Sequence, residues 1–140
     1  MLDVTVEHAV CEAALAHAEP LIRGARIGSA DPLYAVLPGQ MRLARGRLNV
    51  TYTVRLYIEF EFALRDYWTS SVRVTQPNMV TLVDSIAARR NVPPDWLADT
   101  HEVRRLRNDI VHAARQPRQM TIAQANKRLG RYLSMLPVSW

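Results

Sequence analysis

The segment from Val50 to Phe62 decides the fold class, because it satisfies two incompatible periodicities. Its apolar residues alternate with polar ones, which is typical of a β-strand with one buried face. The same segment carries an apolar stripe at helical spacing that includes Tyr52, Leu56 and Phe60. No neighbouring segment offers a second strand, and a lone strand would leave its backbone hydrogen bonds unsatisfied. The sequence therefore predicts a long helix over about residues 40–68.

The segments before this helix predict one more helix and an irregular connection. Apolar residues recur at helical spacing after Asp3, which can act as an N-cap, and Pro20 is expected to end or bend that helix. The stretch from Gly24 to Gly39 is rich in glycine and proline. It predicts a connection with at most a short turn of helix.

Three helices are predicted in the second half of the chain. The first covers about residues 78–90, and the second runs from Asp99 to about Ala114, opened by a capping box. Thr121 and Gln124 form another capping box, which opens a last helix that ends at Pro137. We therefore expect an all-α antiparallel bundle of four to five helices. The 140 residues suffice for one domain with its own core, over 1–140.

Positive charge is concentrated towards the C-terminus. The chain has a net charge of +5, yet residues 89–140 alone carry ten basic and four acidic side chains. A polyanion would bind this part of the chain. The alternative is that these arginines simply cover solvated helix surfaces.

The sequence lacks the marks of export, of membrane insertion and of several enzyme classes. Cys11 is the one cysteine, no apolar run is long enough to cross a bilayer, and the N-terminal residues do not resemble a signal peptide. We expect a cytoplasmic protein with no membrane partner.

The sequence also lacks three motifs of common enzyme classes: a glycine-rich phosphate loop, a zinc-ligand spacing and a nucleophile elbow. No metal or cofactor is expected.

The predicted fourth helix has an unusual polar stripe. Its members fall on one side of a helical wheel: His101, Arg105, Asn108, His112 and Arg115. Arg107 lies roughly 140° from His112 and about 7.5 Å along an ideal helix axis. One face of the helix cannot present both side chains to a small target. Either Arg107 reaches around the helix, or a site is assembled from two copies.

The run Arg-Asn-Asp-Ile-Val-His over residues 107–112 resembles the signature of the HEPN superfamily, in which Arg, often followed by Asn, precedes His near the end of a helix. The run Phe-Glu-Phe-Ala-Leu-Arg-Asp over residues 60–66 is similar to the second helix of several HEPN groups. The resemblance spans about residues 40–136. HEPN groups that work with a nucleotidyltransferase antitoxin often carry Tyr two positions after the His, where this chain has Ala114. Regulation by tyrosine modification at that position is therefore in doubt.

This resemblance implies a homodimer whose two signature helices face each other and, in active members, a metal-independent ribonuclease. Imidazole exchanges protons near neutral pH, which suits His112 to acid–base chemistry on RNA. The planar cation of Arg107 suits it to a phosphate, and Asn108 can orient the imidazole or bind a phosphate oxygen. The expected RNA-binding residues are Arg104, Arg105 and Arg115.

We thus expect an endoribonuclease that acts as a toxin or antiviral effector, with RNA and possible regulatory proteins such as an antitoxin as partners. The rival interpretation is a catalytically inactive helical adaptor that binds protein, nucleotide or RNA. A DNA-binding helical protein is weaker, since no compact helix-turn-helix is evident.

Each candidate residue also has a structural interpretation, and that of Asn108 is to fix the packing of its helix. Arg107 can pair with Glu61 or Asp109, and His112 can be a satisfied interface histidine. A structural role is favoured for His101. The remaining histidines, His8 and His17, are expected at the surface.

Overall fold

The computed structural model describes residues 2–28, 33–72, 75–112 and 120–139, and within these ranges the chain forms five α-helices and no strand. The all-α prediction is confirmed. The helices are α1 (Leu2–Gly28), α2 (Leu33–Ser71), α3 (Met79–Arg90), α4 (Pro94–Val111) and α5 (Ile122–Leu133). The alternating segment at 50–62 lies entirely within α2, as its helical stripe predicts.

The chain divides into two compact units. The hairpin unit, residues 2–52, contains α1 and the first half of α2. The bundle unit begins at Thr53 and contains the second half of α2 together with α3, α4 and α5. The single domain over 1–140 stays a prediction.

In the hairpin unit, α1 and α2 run antiparallel and contact each other through polar and aromatic side chains. Nε2 of His8 lies 2.9 Å from Oδ1 of Asn49, and the His8 ring packs edge-on against Tyr52. Further along, Arg45 pairs with Glu12, with Nε 3.1 Å from Oε2. The sequence predicts His8 at the surface, but its side chain is only 17% exposed because the ring packs between the two helices.

Asp3 is not the N-cap of α1, because the helix already begins at Leu2 and Asp3 lies in its first turn.

Two further predictions about this unit are wrong. Pro20 does not end α1, which continues to Gly28. Proline removes the hydrogen bond to the carbonyl of Ala16, but both residues are exposed, so water can satisfy that carbonyl. The irregular connection predicted over 24–39 is also shorter, because α2 already begins at Leu33. The glycines of this stretch and Pro38 lie within the two helices, whereas Pro32 lies outside the described residues.

The core of the bundle unit forms where α2, α3 and α5 meet. Phe60 of α2 packs edge-on against Tyr132 of α5, with ring centroids 5.6 Å apart. The hydroxyl of Tyr132 donates a 2.6 Å hydrogen bond to the carbonyl oxygen of Val83 in α3. Both tyrosine and phenylalanine are fully buried. Aromatic burial together with this bond fixes α5 against the other two helices.

Local signals set the ends of the last three helices. The N-cap of α3 is Asn78, whose Oδ1 accepts from the backbone N–H of Thr81, and the capping box of α5 at Thr121 is confirmed.

The α4 start predicted at Asp99 is wrong, because Pro94 supplies the first helical position five residues earlier. The side chain of Asp99 instead pairs with Arg128, 3.2 Å away. The predicted end of α5 is also wrong, since the helix stops at Leu133.

None of the helices in the described ranges is long and apolar enough to cross a membrane.

Candidate functional site

The C-terminal end of α4 presents His112 to solvent. His112 is the C-cap residue, and its backbone N–H donates to the carbonyl of Asn108 at 2.9 Å. The side chain is exposed. Its backbone is thus held by the helix end while its imidazole is accessible to a ligand.

Arg107 lies on a more buried side of the same helix. Its Nη1 donates to Oδ1 of Asn108 at 3.2 Å. Its Nε is buried and has no hydrogen-bond partner among the described residues. A buried N–H without an acceptor costs about 1–3 kcal/mol, so this group gains from any acceptor that reaches it.

A buried tyrosine marks the surroundings of Arg107. Tyr57 of α2 is 2% exposed, and its hydroxyl has no hydrogen-bond partner within the described ranges. Burial raises the pKa of the Tyr57 hydroxyl above its ordinary value, and the charge of Glu61 raises it further, whereas Arg104, Arg107 and Arg65 act in the opposite direction. All four charged groups therefore act on one hydroxyl, and we refer to these five residues as the Tyr57 cluster.

The charges of the Tyr57 cluster do not cancel. Glu61, the one carboxylate, accepts two hydrogen bonds from Arg65, at 2.7 and 2.8 Å. Arg65 also donates to the carbonyl of Pro77 at 3.3 Å. The sequence interpretation that paired Glu61 with Arg107 is therefore not what the structure shows. Because Arg65 already neutralises this carboxylate, Arg104 and Arg107 leave the cluster positively charged.

His101 belongs to a different network, which supports its structural interpretation. Nε of Arg104 donates to Nδ1 of His101 at 3.4 Å, and Nε2 of His101 lies 2.8 Å from Oδ1 of Asp84. Since Nδ1 accepts, the proton sits on Nε2 and is donated to the carboxylate. The imidazole thereby links α4 to α3 and holds Arg104 in place.

The predicted RNA-binding arginines differ in their positions. Arg105 is exposed on α4, and Arg104 is half-buried in the Tyr57 cluster. Arg115 lies outside the described residues, as does Ala114.

Several other C-terminal arginines are engaged within the bundle unit. Arg89 lies over the Trp68 ring and Arg131 over the Trp96 ring, each 5.9 Å from the ring centroid. Arg90 donates to the carbonyl of Met135 at 2.8 Å. Part of the positive charge that the sequence assigns to a polyanion therefore stabilises the fold.

Tyr57 is the functional candidate that the sequence did not reveal. It occurs among apolar neighbours and is typical of a core residue in sequence. The signal that could have found it is the spacing of Tyr57, Glu61 and Arg65 at i, i+4 and i+8, which places one hydroxyl and two opposite charges in a row on α2.

Among the described residues, no group of three or more His, Cys, Asp or Glu side chains could hold a metal ion. No protein-family model, no curated protein and no solved structure matches the chain.

Proposed function

We propose that this protein is a metal-independent endoribonuclease of the HEPN type, which acts as a homodimer and binds RNA between its protomers. The observation that carries the proposal is the placement of Arg107 and His112. They lie near one end of α4, but Arg107 is half-buried within the Tyr57 cluster while His112 is exposed at the helix end. In the proposed dimer, a two-fold axis beside α4 brings Arg107 of one protomer towards His112 of the other.

The chemistry follows from the side chains. An imidazole takes the proton from a ribose 2′-hydroxyl, and the freed oxygen attacks the adjacent phosphorus. The bond from phosphorus to the 5′-oxygen breaks, and that oxygen receives a proton from an acid. The products are a 2′,3′-cyclic phosphate and a 5′-hydroxyl. Acid–base catalysis by His112 supplies about 10²-fold to 10⁴-fold of the rate.

Arg107 stabilises the negative charge that develops on the phosphate oxygens. Its guanidinium is permanently charged, and its fork of N–H donors matches a phosphate. Asn108 contacts this guanidinium, so its role is to hold Arg107 in position. The exposed Arg105 and the cluster residue Arg104 add attraction for the RNA backbone.

The direct test incubates the parent protein and a His112→Ala variant with total RNA and with one defined tRNA, in excess chelator. The parent is expected to cut RNA under these conditions, and His112→Ala is not. His17→Ala is the matched control, because His17 is also exposed but lies in the hairpin unit. Intact RNA with the parent, or equal cutting by His112→Ala, would exclude the catalytic proposal. RNA that is bound but left intact would favour the inactive adaptor.

The proposed cellular role is that of a toxin or an antiviral effector in the cytoplasm. Inducible expression tests it: the parent is expected to stop growth, whereas His112→Ala at the same protein level is not. Normal growth with the parent would contradict a toxin that acts alone.

A further inference from the structure

The hairpin unit has almost no core of its own. Among its described side chains, only Val4 is buried. The bundle unit, by contrast, buries large side chains from α2, α3, α4 and α5. Two helices alone rarely bury enough apolar surface to be stable. The apolar surface that the hairpin unit leaves exposed is therefore a candidate for contact with another molecule.

This exposed surface consists of one stripe on each helix. The α1 stripe comprises Val6, Val10 and Leu21, which are 54%, 62% and 64% exposed. The exposed residues Ala13 and Ala14 lie between them on the same side of α1. All five fall within about 100° of the helix circumference, which they share with the exposed His17, so they form one largely apolar face.

The α2 stripe comprises Val36, Leu43 and Val50, which are 54%, 55% and 45% exposed. They recur every seven residues and so share one face of the helix. Gly46 lies between Leu43 and Val50, and the space beside its Cα is open. Another helix can approach the backbone closely at this point.

Each stripe lies opposite the side on which α1 and α2 contact each other. His8 and Glu12 face α2, and Arg45 faces α1. On each helix the stripe lies about 180° around the helix axis from these residues. The two stripes are thus on opposite sides of the hairpin unit. A single two-fold contact cannot cover both, but a head-to-tail contact can.

The charges around the two stripes are complementary. The described part of α1, residues 2–28, contains four acidic and two Arg side chains, and residues 33–52 contain three Arg and no acidic side chain. Two of these acidic side chains already pair with one of the three Arg inside the hairpin unit, so these three charges are engaged within one copy. Arg42 and Arg47 border the groove beside Leu43, and the exposed Asp3 lies on the same side of α1 as Val6. An α1–α1 or α2–α2 contact would place like charges together, whereas an α1–α2 contact pairs opposite charges.

We propose that copies of this chain associate head to tail, with the α1 stripe of one copy packed against the α2 stripe of the next. Such a contact leaves one free stripe at each end, so assembly continues until a ring closes or a filament grows. The interface involves residues 2–52 and is independent of the proposed nuclease site. Association can therefore succeed or fail without affecting the nuclease proposal.

Two variants of the full chain test the proposal by sedimentation velocity over a wide concentration range. Val10→Glu disables the α1 stripe, and Leu43→Glu disables the α2 stripe. Both positions are exposed, so folding is preserved. The mean mass of the parent is expected to rise with concentration beyond that of a dimer, which the proposed two-fold contact beside α4 does not exceed. Each variant alone is expected to stay at or below the mass of a dimer over the same range, because its head-to-tail association is weakened about 10-fold to 100-fold.

Mixing the two variants gives the decisive result. Val10→Glu retains an intact α2 stripe and Leu43→Glu an intact α1 stripe, so the mixture forms one good contact and a species heavier than either variant. Phe62→Glu is the control, since Phe62 is 67% exposed but belongs to the bundle unit. It is expected to associate like the parent.

Three results would overturn the proposal. One is a parent whose mass never exceeds that of a dimer. Another is a loss of association caused by only one of the two variants, which would indicate a two-fold contact. The third is a mixture of the variants that stays as small as its components.

Discussion

Arg107 donates a hydrogen bond from Nη1 to the side-chain oxygen of its sequence neighbour Asn108, across 3.2 Å. Successive residues on a helix point about 100° apart, so the two side chains turn towards each other around α4 to form this bond. Nε of Arg107 stays buried without a partner in the described part of the chain. Asn108 thus holds Nη1 of the guanidinium in place, while Nε can still donate a hydrogen bond to a phosphate oxygen.

Arg107→Lys tests the need for this planar cation. The variant keeps the positive charge but loses the fork, so we expect RNA cleavage to fall about 10²-fold or more. Initial rates on a defined tRNA measure the effect. Arg105→Lys is the matched control, because Arg105 is exposed on the same helix. A loss of less than about twofold for Arg107→Lys would mean that charge alone suffices.

A mixture of inactive variants tests whether the site is shared between protomers. Arg107→Ala and His112→Ala are each expected to be inactive. In a mixed dimer, one site combines the remaining arginine of one chain with the remaining histidine of the other. Random mixing then restores about a quarter of the parent activity. A mixture that is as inactive as its components would place both residues in one protomer's site.

Most of the helices could be predicted from the sequence because their ends depend on local chemistry. Asn78 and Thr121 cap helices wherever their side chains reach a free backbone N–H, and the structure contains both bonds. The starts of α2 and α4 were missed for the opposite reason. Glycine and proline are weak helix formers on average, but Pro94 is favourable at a first helical position.

The candidate site was only partly predictable. Arg107, Asn108 and His112 are close in sequence, so one helical wheel relates them. Tyr57 is about fifty residues away, and its relation to Arg107 depends on how α2 and α4 pack. Sequence spacing within one helix does not contain that information.

The two buried tyrosines of the bundle unit are expected to respond differently to loss of the hydroxyl. Tyr132→Phe loses the 2.6 Å bond to Val83 and should lower the free energy of unfolding by about 0.5–1.5 kcal/mol. Tyr57→Phe removes a buried hydroxyl that has no partner in the described ranges, so the free energy of unfolding stays equal or rises by about 1 kcal/mol. Urea denaturation compares the two. Equal destabilisation would mean that the Tyr57 hydroxyl has an acceptor.

Alkaline pH is expected to destabilise the fold through the same two side chains. Burial raises the pKa of both Tyr57 and Tyr132 in the folded state, so the unfolded state loses these protons first. Their contribution to stability is complete below the ordinary tyrosine value of about 10 and declines as the pH rises above it. Unfolding free energies from pH 8 upwards measure the slope. The loss of stability with rising pH should be less steep for Tyr57→Phe. An unchanged slope would contradict a raised pKa for Tyr57 in the folded state.

The capping box of α5 supplies a further prediction about stability. Oγ1 of Thr121 accepts from the backbone N–H of Gln124 at 3.2 Å, and Oε1 of Gln124 accepts from the Thr121 N–H at 2.9 Å. Thr121→Ala removes the first of these bonds and should lower the free energy of unfolding by about 1 kcal/mol. Thr69→Ala is the control, since Thr69 is exposed within α2 and alanine is the better helix former. Thermal denaturation should show a lower Tm for Thr121→Ala alone, and equal Tm values for the two variants would mean that the cap contributes nothing.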